Sequence, residues 1–284
     1  MSETSDSPAA EAPAPHLATN LANWESRVPL HEQGYALDRY RQDPELLSDV
    51  VRFDRPLLGD VNGLDTVHLQ CHIGTDTLSL HRLGARVTGL DFSPAALAVA
   101  ADLAGDCRAE IDWVESEVYE AVDVLGGERF DLVYTGIGAL CWLPDIAEWA
   151  RVVAGLMRPG GRLFIREGHP MLWSLSDPRE DGLLVVEFPY FEVEGGTTFV
   201  GTKTYVEADG LVSSSESVQF NHGLGELLTA VMEAGLRLDS FTEHTSVPYN
   251  PLGEGMVAID GGEWQLRESP ERLAVSYTMR ATKR

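Results

Sequence analysis

Short apolar segments alternate with helical segments through the middle of the chain, and this alternation limits its fold more than any other feature. The apolar patterning predicts strands at 66–70, 85–90, 111–114, 130–135, 162–167, 236–241 and 273–280. Strands separated by helices pair in parallel through right-handed crossovers. The sequence therefore predicts an α/β fold with a doubly wound, mostly parallel seven-stranded sheet.

Two further segments flank or interrupt this pattern. Residues 21–60 read as a helical segment, and residues 171–220 read as an antiparallel β insertion with strands at 183–191, 197–206 and 212–220. Residues 1–20 are rich in Ala, Pro, Ser and acidic residues and predict a disordered tail. We expect a single domain over 21–284.

Charge and cysteine content limit the partners of the chain. Its 284 residues contain 21 Lys and Arg against 45 Asp and Glu, a net charge of −24, which repels phosphate backbones and anionic lipids. Three cysteines without a CxxC pair indicate neither a disulfide framework nor a zinc site, and fit a reducing cytoplasm. We expect a small-molecule substrate, no metal, no nucleic acid and no membrane partner. A homodimer remains open.

The most informative stretch is VHLQCHIGTDT at 67–77, followed by RVTGLDFSP at 86–94. It predicts a strand, a tight turn, a helix start and a second strand that ends in an acid. Gly74 would allow the backbone to approach a ligand at the helix N-terminus. Asp91, at the carboxyl end of the second strand, can accept hydrogen bonds from a ribose diol.

These residues resemble the first two motifs of the class I S-adenosylmethionine-dependent methyltransferases. WVESEV at 113–118 resembles the adenine-binding segment, FDLVYT at 130–135 resembles strand four, and LMRPGGRL at 156–163 resembles the approach to strand five. The resemblance covers roughly residues 60–170 and implies S-adenosylmethionine as the cofactor. It implies cofactor contacts from Gln70, Cys71, His72, Gly74, Thr75, Asp91, Phe92, Ser93, Ser116, Glu117, Val118, Thr135 and Gly136.

The chain departs from the family pattern in three places. His68 stands where the family usually has an acid at the end of strand one, and Gln70 and His72 replace two glycines of the turn. Glu117 replaces the more frequent Asp at the adenine-contact position. We expect an intact backbone turn, with the side chain of Gln70 or His72 substituting in the contacts to the cofactor.

The acceptor side is less clearly marked. The resemblance implies that the helical segment 21–60 forms a lid, and we expect the insertion to cover the acceptor or to form a dimer contact. A sulfonium methyl group is already activated, so transfer needs alignment and exclusion of water, and a base only if the acceptor must lose a proton. The candidate acceptor contacts are His31, Tyr35, Trp142, His169 and His222. His169, just past strand five, is the candidate general base. For any single histidine, a structural role is the alternative.

Two other functional classes share parts of this pattern. A nicotinamide-dependent oxidoreductase also begins strand–turn–helix–strand–acid, but GxGxxG is absent here and Pro159-Gly160-Gly161 precedes strand five as in methyltransferases. The loss of two turn glycines leaves a non-catalytic relative of the fold as the second alternative. The methyl acceptor, and whether its O, N, S or C atom is methylated, are left open.

Overall fold

A seven-stranded sheet forms the centre of the molecule in the computed structural model, which describes residues 15–284. The strands of the described chain are β1 (Asp65–Leu69), β2 (Arg86–Asp91), β3 (Asp112–Glu115), β4 (Phe130–Thr135), β5 (Met157–Gly168), β6 (Thr197–Val200), β7 (Glu216–Gln219), β8 (Leu236–His244), β9 (Ser246–Val247), β10 (Met256–Ile259), β11 (Glu263–Leu266) and β12 (Ser276–Lys283). The central sheet has the order β3-β2-β1-β4-β5-β12-β8. Its first five strands pair in parallel, and β12 runs antiparallel to both β5 and β8. The predicted fold class is confirmed.

Helices pack against both faces of the sheet, which is the usual arrangement around parallel strands. They are α1 (Pro15–Gly34), α2 (Asp38–Gln42), α3 (Asp49–Leu58), α4 (Thr75–Arg82), α5 (Pro94–Asp106), α6 (Ala121–Leu125), α7 (Ile146–Leu156), α8 (Pro170–Trp173) and α9 (Leu224–Glu233). The Ser93 hydroxyl accepts the Ala96 N–H at 3.0 Å and Pro94 occupies the first turn, so α5 begins where its capping residues predict. Among the described helices, none is long and apolar enough to cross a membrane.

The core lies in two layers, one on each face of the sheet. On one face, Trp149 of α7 is fully buried among side chains of β1, β4, β5 and α9. On the other, the rings of Tyr134 and Phe164 stack with centroids 5.7 Å apart, beneath α3 and α4. Burying each such side chain contributes about 1.5–3 kcal/mol. These layers hold the carboxyl ends of β1, β2 and β4 in fixed positions.

The prediction of a disordered tail is wrong for residues 15–20, and residues 1–14 lie outside the described part of the chain. Helix α1 starts at Pro15, and Asn20 is buried with 2% exposure. The Asn20 amide donates to the Val218 carbonyl and accepts the Val218 N–H, both at 2.8 Å. This contact joins α1 to β7 across 198 residues of sequence, so local composition did not reveal it.

The insertion contains less regular structure than its alternating pattern predicts. Strands β6 and β7 pair, but 183–191 forms only one bridge, between Leu175 and Val186. Leu183 and Val186 are 61% and 59% exposed, because no described strand covers this segment. Strand β5 begins at Met157 rather than after the Pro-Gly-Gly turn, and its pairing with β4 shifts register there. The small sheet β10-β11-β9 was not predicted.

Candidate active site

A cleft opens where the carboxyl ends of β1, β2 and β4 meet, beneath α1. It encloses about 1080 Å³ of empty space, its open mouth included. The described residues that line it are His16, Leu17, Asn20, Trp24, Tyr35, His68, Gln70, Cys71, His72, Ile73, Thr75, Asp76, Asp91, Phe92, Ser116, Glu117, Val118, Tyr119, Gly136, Ile137, Gly138, Ala139, Trp142, Leu143, Pro144 and Tyr205. Most of the residues predicted to contact the cofactor therefore share one cavity.

The turn after β1 is intact although two of its glycines are replaced. Gln70 and His72 take φ angles of +56° and +50°, in the left-handed region that glycine adopts without strain. For residues with a side chain, the left-handed backbone conformation costs roughly 1–2 kcal/mol each. Bonds made by both residues offset the cost: the Gln70 amide donates to the Ala139 carbonyl at 3.0 Å, and the His72 N–H donates to Asp91 Oδ2 at 2.8 Å.

Gly74 has a different role from the one its sequence position indicates. A Cβ atom at this residue would lie 2.7 Å from Ala100 Cβ and 2.7 Å from Trp113 Cη2. The space beside Gly74 is thus filled by α5 and β3, and Gly74 is not among the described residues that line the cleft. The glycine is required for packing the turn, and not for close approach of a ligand. This corrects the sequence-based expectation.

Asp91 carries the geometry that a ribose requires. Its Oδ1 accepts the Ser93 N–H at 2.9 Å and its Oδ2 accepts the His72 N–H, so each oxygen keeps a second acceptor site. The side chain borders the cleft and is 6% exposed. Burial raises the pKa of Asp91 to about 6, although these N–H bonds oppose the shift. Two hydroxyl donors from a ribose would stabilise the charged form, so the site fits the implied cofactor.

Glu167 organises the loop after β4, and sequence reasoning missed it. Its Oε1 accepts the N–H groups of Gly138 and Gly168 at 2.6 Å, and its Oε2 accepts those of Ala139 and Leu140 at 2.8 Å. The carboxylate is buried at the end of β5 and fixes the cleft wall by charge-assisted bonds. An acid at the carboxyl end of a predicted central strand was the available signal.

The end of β1 has His68 where the family usually has an acid, and a neighbouring acid can take over its role. Asp76, in the first turn of α4, borders the cleft, and burial raises its pKa to about 6. A Cβ built on Gly136 would lie 3.4 Å from His68 Nε2 and 3.5 Å from Asp76 Oδ2, so both side chains converge on this glycine. Burial lowers the pKa of His68 to about 3, so its ring is neutral.

Helix α1, the lid helix, reaches the turn after β1 through His31. This turn, residues 70–74, is called the cofactor turn below. His31 Nδ1 lies 2.7 Å from His72 Nε2, and His31 Nε2 lies 2.6 Å from the Thr204 hydroxyl. Burial lowers the pKa of His31 to about 2 and that of His72 to about 3, so this is a bond between two neutral rings. His31 therefore links the lid, the turn and the insertion rather than lining the cleft itself.

Aromatic side chains form a wall of the cleft next to the turn after β1, where the ring centroids of Trp24 and His72 are 4.9 Å apart. The rings of Trp24 and Trp142 meet edge to face at 5.2 Å, and the hydroxyls of Tyr35 and Tyr205 are 2.7 Å apart. Tyr35 and Trp142 were predicted acceptor contacts, whereas Trp24 and Tyr205 were not. Tyr205 comes from the insertion, which was expected to cover the acceptor or to form a dimer contact, but the sequence did not indicate which of its residues reaches the cleft.

The structure does not bring His169 and His222 to the cleft. Among the described residues, neither lines it. His169 Nδ1 accepts the Met171 N–H at 3.0 Å, which caps α8, and His169 Nε2 lies 3.0 Å from Glu243 Oε1. His222 Nε2 donates to the Leu143 carbonyl at 2.7 Å. Ser93 and Thr135 also lie behind the described lining, and Ser93 acts through its bond to Asp91.

Comparison with known proteins agrees with this geometry. A family model described as a methyltransferase domain matches residues 67–163. The chain is 38% identical over 102 residues to the ubiquinone biosynthesis O-methyltransferase of Methylobacterium sp. (strain 4-46), covering 36% of this chain and 40% of that protein. It is 29% identical over 148 residues to the trans-aconitate 2-methyltransferase of Escherichia coli O139:H28, covering 51% of each. The chain thus spans 40% and 51% of the length of these two curated relatives.

A solved structure extends the similarity across the fold. The S-adenosylmethionine dependent methyltransferase from Mesorhizobium loti superposes with a TM-score of 0.59 at 24% identity, covering 83% of this chain and 98% of that one. The fold, the matched domain and the cleft at the carboxyl ends of β1, β2 and β4 agree with one another. Residues 67–163 therefore match a methyltransferase domain, and the chain has the Rossmann-like fold of the class I S-adenosylmethionine-dependent methyltransferases.

Proposed function

We propose that this protein transfers the methyl group of S-adenosylmethionine to a small molecule held against the aromatic wall of the cleft. The observation that carries the proposal is Asp91, a buried carboxylate at the end of β2 with one free acceptor site on each oxygen. A nicotinamide dinucleotide also has ribose diols, so the experiment below includes one as a competitor.

We assign the cofactor's parts to three groups of cleft residues. Asp91 binds the ribose hydroxyls. Phe92 and the segment Ser116, Glu117 and Val118 surround the base, on the side of the cleft formed by β2 and β3. The amino-acid end lies along Gln70–His72, Thr75 and Gly136, where the Gln70 Oε1 atom is buried without a partner among the described residues and Asp76 supplies a negative charge.

The reaction needs little from the protein beyond positioning. The bound cofactor supplies a methyl group on a sulfonium, which is already activated for transfer. Trp24, Trp142, Tyr35 and Tyr205 exclude water and orient a flat acceptor, and the neutral rings of His31 and His72 place no positive charge beside the sulfonium. Both ring nitrogens of His169 are engaged outside the cleft, so we assign His169 no proton transfer.

Calorimetry on the full chain tests this assignment. Wild-type protein should bind S-adenosylmethionine, and Asp91→Ala should bind it about 10- to 100-fold more weakly, because charge-assisted hydrogen bonds worth roughly 1.5–3 kcal/mol are lost. Asp102→Ala, an exposed acid on α5, should bind as the wild type does. Formation of S-adenosylhomocysteine should then be measured with phenols, trans-aconitate, amines and thiols.

Two results would contradict the proposal. An unchanged dissociation constant in Asp91→Ala would remove the ribose assignment, and tighter binding of NADH than of S-adenosylmethionine would favour an oxidoreductase. Cofactor binding without methyl transfer to any class of acceptor would support the non-catalytic alternative. We expect the aromatic wall to favour phenols.

A further inference from the structure

Three potential metal ligands converge beside α9, apart from the residues that line the cleft. They are Glu192 of the insertion, His222 just before α9, and Glu226 in the first turn of α9. One ligand atom from each lies within 4.8 Å of the other two. His222 Nδ1 is 3.3 Å from Glu226 Oε1 and 3.4 Å from Glu192 Oε2.

The hydrogen bond of His222 Nε2 determines which ring nitrogen of the neutral imidazole carries the proton. Nε2 lies 2.7 Å from the Leu143 carbonyl, which can only accept, so Nε2 carries a proton. In the neutral ring, Nδ1 then has no proton, and its lone pair points at two carboxylates. Carboxylate oxygens also only accept, so no hydrogen bond can form between them and Nδ1. The imidazole side chain is only 3% exposed, and a backbone carbonyl that orients a histidine in this way is typical of metal ligands. A divalent cation among the three groups would make this lone pair and the carboxylate oxygens its ligands.

The distances match ligands of a shared ion. Bonds of about 2.0–2.1 Å in tetrahedral geometry place two ligand atoms about 3.3–3.4 Å apart. A charge-assisted hydrogen bond between an imidazolium and a carboxylate is shorter, about 2.7–2.9 Å. Both separations from His222 Nδ1 fit the first arrangement and exceed the second.

Charge and access also favour a cation. The two carboxylates bring two negative charges to the cluster, which a divalent cation would neutralise. The side chains of Glu192 and Glu226 are 30% and 37% exposed, so an ion can enter from solvent without opening the fold.

We propose that Glu192, His222 and Glu226 bind one divalent cation of intermediate softness, Zn²⁺ or Mn²⁺. One imidazole with two carboxylates suits these ions better than a purely oxygen-bound ion such as Mg²⁺. The ion ties the insertion to α9 and, through the Leu143 carbonyl, supports the wall of the cleft. The sequence analysis expected no metal and did not detect this cluster, because Glu192 is distant in the chain from the His222–Glu226 pair.

The test is metal binding by chelator-treated full-length protein. We expect calorimetry and elemental analysis to find one equivalent of Zn²⁺ or Mn²⁺, much weaker Mg²⁺ binding, and a higher Tm with the ion. Glu226→Gln and Glu192→Gln keep His222 and its bond to Leu143, and each should weaken binding at least tenfold. Glu233→Gln, an exposed acid on the same helix, is the matched control and should bind like the wild type.

The proposal fails if wild-type protein binds neither ion. It also fails if the double variant Glu192→Gln, Glu226→Gln binds as tightly as the wild type, because the ion then lies elsewhere. A His222 ring that NMR shows to be doubly protonated at pH 7.5 and unperturbed by added Zn²⁺ would establish an imidazolium bridge instead and would overturn the assignment.

Discussion

At the scale of single residues, the cleft depends on buried carboxylates bonded to backbone N–H groups. Asp91 holds the cofactor turn and Glu167 holds the loop after β4, each from the carboxyl end of a strand. Buried charges are costly unless they are fully bonded. Removing one of these carboxylates therefore costs more than its own bonds, because the N–H groups that it accepts are left without a partner.

Glu167→Gln should destabilise the protein and loosen the cleft wall. The substitution replaces one acceptor oxygen with an amide that donates toward N–H groups, and we expect a loss of roughly 2–4 kcal/mol in the free energy of unfolding. Affinity for S-adenosylmethionine should fall as well. Denaturant unfolding and calorimetry measure both effects, with the exposed Glu148→Gln on α7 as the control. Wild-type stability in Glu167→Gln would show that the loop holds its shape without the carboxylate.

At the scale of elements, α1 is held over the cleft by polar bonds to the insertion. Asn20 bonds to both backbone groups of Val218, the Asn23 amide donates to the Ser214 carbonyl at 2.6 Å, and His31 bonds to Thr204. The lid and the insertion thus act on each other, and neither covers the cleft independently. A lid held by a few bonds can open at a modest free-energy cost.

Asn20→Ala should release the first turns of α1. It leaves the N–H and carbonyl of Val218 unpaired, at a cost of about 1–3 kcal/mol for each buried group. We expect faster proteolysis within α1, a lower Tm and a raised KM for the acceptor. Thr19→Ala removes only an exposed bond within the same helix and should leave all three unchanged. Equal proteolysis rates in the two variants would show that other contacts hold the lid.

At the scale of the whole molecule, buried acids and buried histidines have opposite effects on folding stability as the pH changes. Burial raises the pKa of Asp54 to about 7 and those of Asp76 and Asp91 to about 6, so the folded state loses stability as pH rises through these values. Burial lowers the pKa of His31 to about 2 and that of His72 to about 3, so stability is lost as pH falls below about 6.5. Between about pH 4 and pH 6 the two effects have opposite slopes and partly cancel.

The contribution of Asp54 to the pH dependence of stability can be tested separately from that of the other groups. Burial raises its pKa, while the nearby Arg166 and the bond from the Tyr134 hydroxyl at 2.6 Å oppose the rise. Its folded-state pKa is above the unfolded value, so its stabilisation is complete below about pH 4 and is lost as pH rises through 7. Asp54→Asn keeps an acceptor for Tyr134 and cannot ionise.

The stability of Asp54→Asn relative to wild type should therefore increase between pH 4 and pH 8. At about 1.4 kcal/mol for each pH unit between the ordinary pKa of Asp and the raised value of about 7, the increase should be roughly 4 kcal/mol. Denaturant unfolding at several pH values measures it, and the exposed Asp123→Asn on α6 should show no such trend. A constant difference between Asp54→Asn and wild type would show that Asp54 does not titrate in this range.

The sequence alone determined the sheet and half of the site. Strands β1, β2 and β4 and the cap of α5 follow from apolar periodicity and from Ser93-Pro94, which are local properties of the chain. Asp91 could be placed at the ligand edge because the carboxyl ends of parallel strands meet at one edge of a sheet. Such features depend on neighbours in sequence or on the regular geometry of the fold.

Tertiary structure decided the other half. The Asn20–Val218 contact, the position of Tyr205 over the cleft and the convergence of Glu192 with His222 join segments that are distant in sequence. His169 was placed near the right strand end, but its bonds to Met171 and Glu243 hold it outside the described cleft lining. Periodicity reports which face of an element is buried, but not which distant segment covers that face. Only packing of the whole chain could therefore determine the acceptor wall and the ligand cluster beside α9.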